Sequence, residues 1–164
     1  SDFGQFYEDN LNVESLVISK QLPNLVFIDI VIHEKIIVIS DLRDTNPKEV
    51  ILYKNLYTEL AESNSQLPRL TITNGPTPDG FYSEIISLVL TVKKYDLSIQ
   101  DLKILYDGSE LTGSYKNTLL NLGRPVDLSK KGSVVGYILE EGTCDGEVTI
   151  IDSSNEDIET ILNC

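Results

Sequence analysis

The sequence predicts an α+β domain built on a mainly antiparallel sheet with β-hairpins. Ile, Leu and Val occur in dense runs, whereas the 164-residue chain has a single Ala and neither Trp nor Met. Such enrichment in β-branched residues favours strands over helices. Several runs alternate apolar with polar residues and end at Gly, Pro or Asn, as hairpin strands do. Because the predicted elements follow neither a βαβ alternation nor an all-strand order, α+β is the class that fits.

The length fits one folded domain, since domains cluster near roughly 100–150 residues. We assign residues 16–164 to a single α+β domain. Residues 1–15 are polar and acidic but include two Phe and one Tyr, so we predict an N-terminal arm or loosely packed segment there. The sequence shows no internal repeat and no low-complexity tract.

The first predicted strands lie on either side of Pro23, which cannot donate a ladder hydrogen bond and marks a break. We predict a short apolar strand over residues 16–19. The stretch LVFIDIVIHEKIIVISD, residues 25–41, is apolar on both sides of His33–Lys35. We predict a hairpin of two strands within this stretch, with His33–Lys35 at its solvent-exposed tip.

The segment NPKEVILYKNLYTELAES carries the clearest helix signal in the chain. Asn46 suits the N-cap, Pro47 suits the first helical position, and Glu49 completes a capping box. Apolar residues then recur at helical spacing, at Val50, Tyr53, Leu56, Tyr57 and Leu60. We therefore predict one clear helix near residues 47–63.

The middle of the chain alternates a strand signal, a turn signal and an ambiguous run. The sequence LPRLTIT, residues 67–73, predicts a strand. Residues 74–80, NGPTPDG, concentrate turn-forming residues and predict a functional loop or a hinge. Residues 81–96 fit both helical and strand spacing, and their β-branched content favours a strand.

Hairpins and two short helices are predicted in the C-terminal part. Asp107-Gly108 lies between two alternating runs and predicts a type I′ turn. Helices are predicted near residues 115–122 and 155–162, from capping residues at their starts. Residues 134–139 and 147–152 predict a final hairpin.

Charge restricts the partners. The formal net charge of -13 repels phosphate backbones and anionic lipid headgroups, which disfavours nucleic-acid and membrane-surface binding. No apolar run reaches the roughly 18–20 residues that a membrane span needs. We expect a protein partner, either a basic protein or a second copy of the chain through self-association.

The two cysteines bear on the compartment. Cys144 and Cys164 match no metal-ligand spacing. Since no secretory signal or transmembrane segment is visible in the sequence, free thiols are expected, and we predict an intracellular, cytoplasmic location or incorporation in a particle. Pairing of the two cysteines would favour an extracellular protein instead.

Two candidate chemical sites emerge. His33 beside Glu34 could do acid–base chemistry, but neighbouring residues of an extended segment point in opposite directions. Asp41 and Asp44 follow a predicted strand and could hold a hard cation such as Mg²⁺; they are the candidate metal ligands. The sequence contains no GxxxxGK[ST] and no GxSxG motif. We predict no catalytic residue and no cofactor.

These observations favour a binding role over catalysis. The leading hypothesis is a non-enzymatic structural or assembly module that docks into a larger protein complex, such as a phage or virus particle. One alternative is a small Mg²⁺-dependent hydrolase or phosphotransfer enzyme that uses Asp41 and Asp44. A second alternative is an extracellular ligand-binding domain.

Overall fold

The computed structural model describes residues 3–21, 23–62, 65–142, 144–152 and 157–164, and in them three helices and eleven strands. The helices are α1 (Phe3–Asp9), α2 (Phe81–Val92) and α3 (Leu128–Glu141). The strands are β1 (Val13–Gln21), β2 (Leu25–Ile32), β3 (Lys35–Asp41), β4 (Glu49–Tyr53), β5 (Thr58–Leu60), β6 (Arg69–Ile72), β7 (Leu102–Tyr106), β8 (Leu111–Tyr115), β9 (Thr118–Gly123), β10 (Glu147–Asp152) and β11 (Ile158–Asn163). The predicted α+β class is confirmed.

Nine of the strands form one mixed sheet, in the order β11-β10-β9-β8-β7-β6-β3-β4-β5. The pairs β3–β6, β6–β7 and β9–β10 are parallel, and the other neighbours are antiparallel. Within the described residues, β1 and β2 pair only with each other and form a separate two-stranded sheet. β1 also runs across the boundary predicted between residues 15 and 16.

Helices α2 and α3 pack side by side on one face of the nine-stranded sheet and bury its main core. Two glycines of α3 allow the close approach. A Cβ atom on Gly132 would lie 3.2 Å from Cδ1 of Leu88, and a Cβ atom on Gly136 would overlap the ring of Tyr95. Glu84 of α2 further accepts a hydrogen bond from the backbone N–H of Leu128, at 2.9 Å, in the first turn of α3.

The sheet contains a structural repeat that the sequence did not predict. The elements β6-α2-β7-β8 and β9-α3-β10-β11 have the same order, with a parallel first pair and an antiparallel second pair. Five buried residues of α2 correspond to five buried residues of α3, and the two members of each pair are the same number of positions apart in the sequence. The pairs are Phe81 and Leu128, Ile85 and Gly132, Leu88 and Val135, Val89 and Gly136, and Val92 and Leu139. In two of these five pairs, Ile85–Gly132 and Val89–Gly136, a large residue of α2 corresponds to a glycine of α3, which makes the repeat hard to see in the sequence.

The helix predicted near residues 47–63 is wrong, because this segment forms β4, a turn and β5. Ile51, Leu52 and Tyr53 are all buried, and consecutive burial requires neighbours on both faces, as a central strand has. Leu56 makes the turn with a φ of 69°. The helical spacing of the apolar residues is therefore accidental, and the sheet neighbours β3 and β5 decide the conformation.

The two short helices are also wrong. Residues 115–122 span the tight turn between β8 and β9, where Lys116 has a φ of 51°. Residues 158–163 form β11, paired with β10, while the capping residues predicted at positions 153 and 156 lie outside the described residues. Residues 134–139, predicted as a strand, belong to α3, whereas the strand over 147–152 is confirmed.

Of the other local predictions, some are wrong and some are confirmed. Residues 81–92 form a helix rather than the predicted strand. The strand over 16–19 and the loop over 74–80 are confirmed, and the strand predicted over 67–73 is confirmed as β6 at Arg69–Ile72. The β7–β8 hairpin is confirmed, but only Gly108 of its predicted turn pair has a positive φ, so the turn is not type I′. Asp107 instead accepts hydrogen bonds from the N–H groups of Ser109 and Glu110, each at 2.9 Å.

No helix among the described residues is both long and apolar enough to cross a membrane.

Candidate functional site

A contiguous exposed apolar surface lies on the two-stranded sheet of β1 and β2, which we call the ribbon. Every residue of β2 is exposed, and Ile28 reaches 59%. The predicted hairpin within residues 25–41 is wrong, since β2 pairs with β1 and β3 belongs to the large sheet. The alternation of β2 was visible in the sequence, but its pairing partner was not.

The pairing register divides the ribbon into two unlike faces. Ile18 lies opposite Ile28, and Val17 lies opposite Asp29. Since side chains alternate between faces, one face carries Leu16, Ile18, Lys20, Val26, Ile28 and Ile30; we call it the aliphatic face. The other face carries Val17, Ser19, Gln21, Leu25, Phe27, Asp29 and Val31. From Leu16 onward the aliphatic face has one charged side chain, Lys20 at the tip, while Glu14 lies at the base of the ribbon, in the β-bulge between Val13 and Ser15.

Hydrogen bonds attach the base of the ribbon to the rest of the chain. The backbone N–H of His33 donates to the carbonyl oxygen of Asn12 at 2.8 Å, and the N–H of Lys54 donates to the carbonyl of Glu34 at 2.9 Å. The Tyr7 hydroxyl of α1 accepts a hydrogen bond from the N–H of Leu16 at 2.9 Å. His33 and Glu34 are half-buried at this junction, so their predicted place at an exposed tip is wrong.

The ribbon is a candidate interaction surface on physical grounds. An isolated two-stranded hairpin is marginally stable in water and gains stability from further strands or packing. Large contiguous apolar patches are rare on monomeric proteins and mark sites of interaction. Neither the large sheet nor the helices cover the aliphatic face, because its residues in β2 stay about half exposed.

A second feature is a cleft of about 700 Å³ at the carboxyl ends of β3 and β6, beside the start of α2. Its lining includes Ile39, Asp41, Asp44, Lys48, Val50 and Asp79. The loop over residues 73–80 forms one wall. This loop lies against the β7–β8 turn, with Gly75 next to Gly108. Glycine is needed for this close approach, because a Cβ atom on Gly75 would lie 2.6 Å from the Cα of Gly108. Ile39 and Val50 make the cleft floor apolar, while acidic side chains dominate its rim.

Arg43 holds the candidate metal ligand Asp41 in an ion pair. Its Nε donates to Oδ1 of Asp41 at 2.8 Å, and its second terminal nitrogen lies 2.5 Å from Oδ2. This hydrogen bonding lowers the pKa of the Asp41 carboxyl, and Asp41 in turn raises the pKa of Arg43. Arg43 also donates to the carbonyl of Gly75 at 2.8 Å, which ties the end of β3 to the loop wall. The role of Arg43 went unrecognised, although its Asp-x-Arg spacing was the available signal.

The structure places Asp44 in the same cleft as Asp41. Both Asp41 oxygens already accept bonds from Arg43, so a cation would have to displace the guanidinium. In the described part of the chain, no cluster of three or more His, Cys, Asp or Glu side chains could hold a metal ion. The Mg²⁺ site at Asp41 and Asp44 stays a prediction.

Cys144 and Cys164 form a disulfide, so the expected free thiols are wrong. The bond joins the segment after α3 to the end of β11, with the two Cα atoms 4.8 Å apart. The sequence could not predict this pairing, because the β10–β11 hairpin that brings the cysteines together was predicted as a strand and a helix. Structural disulfides persist mainly in oxidising compartments.

A buried cation lies beside the parallel strands β9 and β10. The ammonium of Lys131, which is fully buried, lies 2.8 Å from Oδ1 of Asp152 and donates to the carbonyl of Arg124 at 2.8 Å. These bonds join α3 to the ends of β9 and β10. Because all of its neighbours belong to the fold, we assign Lys131 a structural role.

Comparisons with known proteins add no family to this description. No protein-family model matches the chain, and no curated protein matches its sequence significantly. The candidate sites therefore rest on the geometry alone.

Proposed function

We propose that this chain is a non-enzymatic assembly module that docks into a larger protein complex through the ribbon. The observation that carries this proposal is the aliphatic face, whose residues in β2 are about half exposed. A partner would bury them and stabilise a hairpin that is marginal alone. The acidic net charge of -13 supports a protein partner over nucleic acid.

The size of the apolar surface fits a docking role. Completing the burial of Ile18, Val26, Ile28 and Ile30 contributes roughly 1 kcal/mol each, or about 4 kcal/mol in total. Association costs about 4–15 kcal/mol in lost freedom. The partner must therefore contribute comparable apolar surface of its own, which favours an interface in an assembly over capture of a small ligand.

The nature of the complex is open to a direct experiment, and a phage or virus particle is the kind that we propose. Gentle sedimentation of native source material is expected to place the chain with a large assembly, whose other components identify the partner. Migration of the chain alone, at its own 18.3 kDa, would contradict the proposal.

A pair of matched variants tests the ribbon itself. Ile28→Lys places a charge on the aliphatic face and is expected to abolish co-sedimentation, because an unpaired buried ammonium is strongly unfavourable. Val31→Lys adds the same charge to the opposite face, at 49% exposure against 59% for Ile28. If both variants co-sediment like the wild type, the ribbon is not the docking surface.

The disulfide and the cleft support a second candidate function, an extracellular ligand-binding domain. A disulfide fits an oxidising compartment, and an apolar cleft with a few polar groups fits a small ligand. The test is a count of free thiols in protein isolated under conditions that block thiol exchange. Two free thiols per chain would remove this candidate and leave the docking proposal intact.

A further inference from the structure

We propose that the aliphatic face is covered by the same face of a second copy of this chain, so that two ribbons pack around a two-fold axis. This inference rests on the proposed docking role of the ribbon and identifies the first partner as the chain itself. Three features support a second copy: the self-complementary face, the charge distribution and the form of the ribbon.

The aliphatic face is complementary to itself. A two-fold interface brings the same patch of both subunits together, so the patch must tolerate meeting its own copy. The cross-strand pairs Ile18–Ile28 and Leu16–Ile30 make two consecutive aliphatic rows. When such rows of two sheets face each other, they interdigitate at a separation of about 10 Å. A charged patch could not do this, because like charges would meet.

The charge distribution favours contact between copies at the ribbon. The chain has a formal net charge of -13, and two such molecules repel each other over most of their surface. The strands of the ribbon carry only Glu14, Lys20 and Asp29 as charged residues. Asp29 lies on the face opposite the aliphatic one. Two copies therefore meet least repulsion where their apolar surface is largest.

A strongly basic partner would find no matching group here. From Leu16 to the tip the aliphatic face carries no acidic residue, and its one charged residue there, Lys20, is itself basic; Glu14 lies at the base, in the bulge of β1. Basic proteins would be attracted to the acidic surface elsewhere on the molecule. The aliphatic face thus selects for apolar surface, which a second ribbon supplies in matching shape.

The form of the ribbon sets the expected strength. The eight residues of β2 span about 26 Å, and two strands are about 10 Å wide, which gives a footprint of roughly 300 Å². This is below the roughly 800 Å² per partner of a standard stable interface. We therefore expect a weak dimer that forms near millimolar concentration.

Sedimentation of the purified full chain, from micromolar to millimolar concentration, tests the inference. The wild type is expected to shift from 18.3 kDa toward twice that mass. Added salt should strengthen the dimer, because it screens the repulsion between acidic copies. A species that stays monomeric throughout overturns the inference.

Matched variants locate the interface. Ile18→Lys on the aliphatic face is expected to weaken the dimer at least tenfold, whereas Val17→Lys on the opposite face should change it less than threefold. Circular dichroism of both variants shows whether they are folded. Equal dimer strength in the two variants would place the interface elsewhere and overturn the inference.

The outcomes separate this inference from the docking proposal. If the wild type is monomeric but Ile28→Lys still abolishes co-sedimentation with the native assembly, the second copy is wrong and docking to a different protein stands. If a dimer forms but the chain sediments alone in source material, the self-association stands and the larger complex is wrong.

Discussion

Strands β2 and β3 are neighbours in sequence and similar in composition, yet their burial is opposite. β2 is LVFIDIVI and is exposed along its whole length, whereas Ile36 to Ile39 of β3 are at most 4% exposed. β3 has β4 and β6 on its two sides and core clusters on both faces. β2 has only β1. Apolar composition therefore makes a strand in both cases, but its neighbours decide whether that strand becomes core or interface.

The largest expected effect comes from removing the same side chain in the two strands. Ile37→Ala in β3 is expected to lower the free energy of unfolding by about 2–5 kcal/mol, because Ile37 is fully buried and a cavity remains. Ile28→Ala in β2 should cost less than about 1 kcal/mol in the monomer. Urea unfolding of dilute protein measures both. Comparable losses in the two variants would mean that the ribbon is packed in the monomer.

The edge strand β11 sharpens the comparison, because it also exposes apolar residues but is covalently fixed. Ile161 and Leu162 are 47% and 45% exposed, and the disulfide after them closes a loop with a sequence separation of 20. Replacing Cys144 and Cys164 by Ser is expected to lower the free energy of unfolding by about 3 kcal/mol. Reduction of the wild type serves as the control and should produce the same loss. An unchanged unfolding midpoint in both experiments would contradict a structural role for the bond.

The pH dependence of stability tests the buried region around β3, because Tyr53 of the neighbouring strand β4 is buried there. Burial, followed by the hydrogen bond to Glu59 and its charge, raises the pKa of Tyr53 to about 12. An unfolded tyrosine has a pKa near 10. The neutral phenol is thus favoured in the folded state, so its stabilisation is complete below about pH 10 and is lost as the pH rises toward about 12.

We expect this loss to reach about 2–3 kcal/mol. Unfolding of the wild type and of Tyr53→Phe between pH 9 and 12 measures it as the part of the slope that the variant lacks. Identical slopes in the two proteins would show that Tyr53 titrates normally.

The smallest expected effect concerns the exposed end of β3, where Asp41 and Asp44 are the candidate Mg²⁺ ligands. Because Arg43 engages both Asp41 oxygens, we expect Mg²⁺, Mn²⁺ and Ca²⁺ to raise the melting temperature by less than about 1 °C. A larger rise that Asp41→Asn abolishes would revive the metal-dependent enzyme. The same measurement on Asp79→Asn, across the cleft, controls for general acidity.

The fold class and many strands could be predicted from the sequence, because apolar alternation follows from local geometry. The helices could not be, and the contrast between residues 47–63 and 81–92 shows why. The first segment has good capping residues and helical spacing but lies between two strands; the second is rich in β-branched residues but buries one helical face. Local preference is weak compared with the neighbours that a segment acquires.

The candidate site was predictable only in part, for the same reason. The alternation of β2 identified an apolar face, but only the pairing with β1 and the exposure of β2 showed that the elements of the described residues leave it open. The ion pair of Asp41 with Arg43 and the disulfide depend on turns and hairpins that the sequence did not fix. Contacts between distant residues decide all three features.

The hydrogen bond from the backbone of Leu128 to Glu84 gives the two βαββ units a direction. The first unit supplies both the carboxylate that caps α3 and the strand β8 on which β9 pairs. Because a chain is synthesised from its N-terminus, the first unit can fold before the second leaves the ribosome, and it then serves as a template for the second unit. Vectorial synthesis and the order of the repeat thus agree, and a circular permutant that begins at β9 would have to fold its second unit without that template.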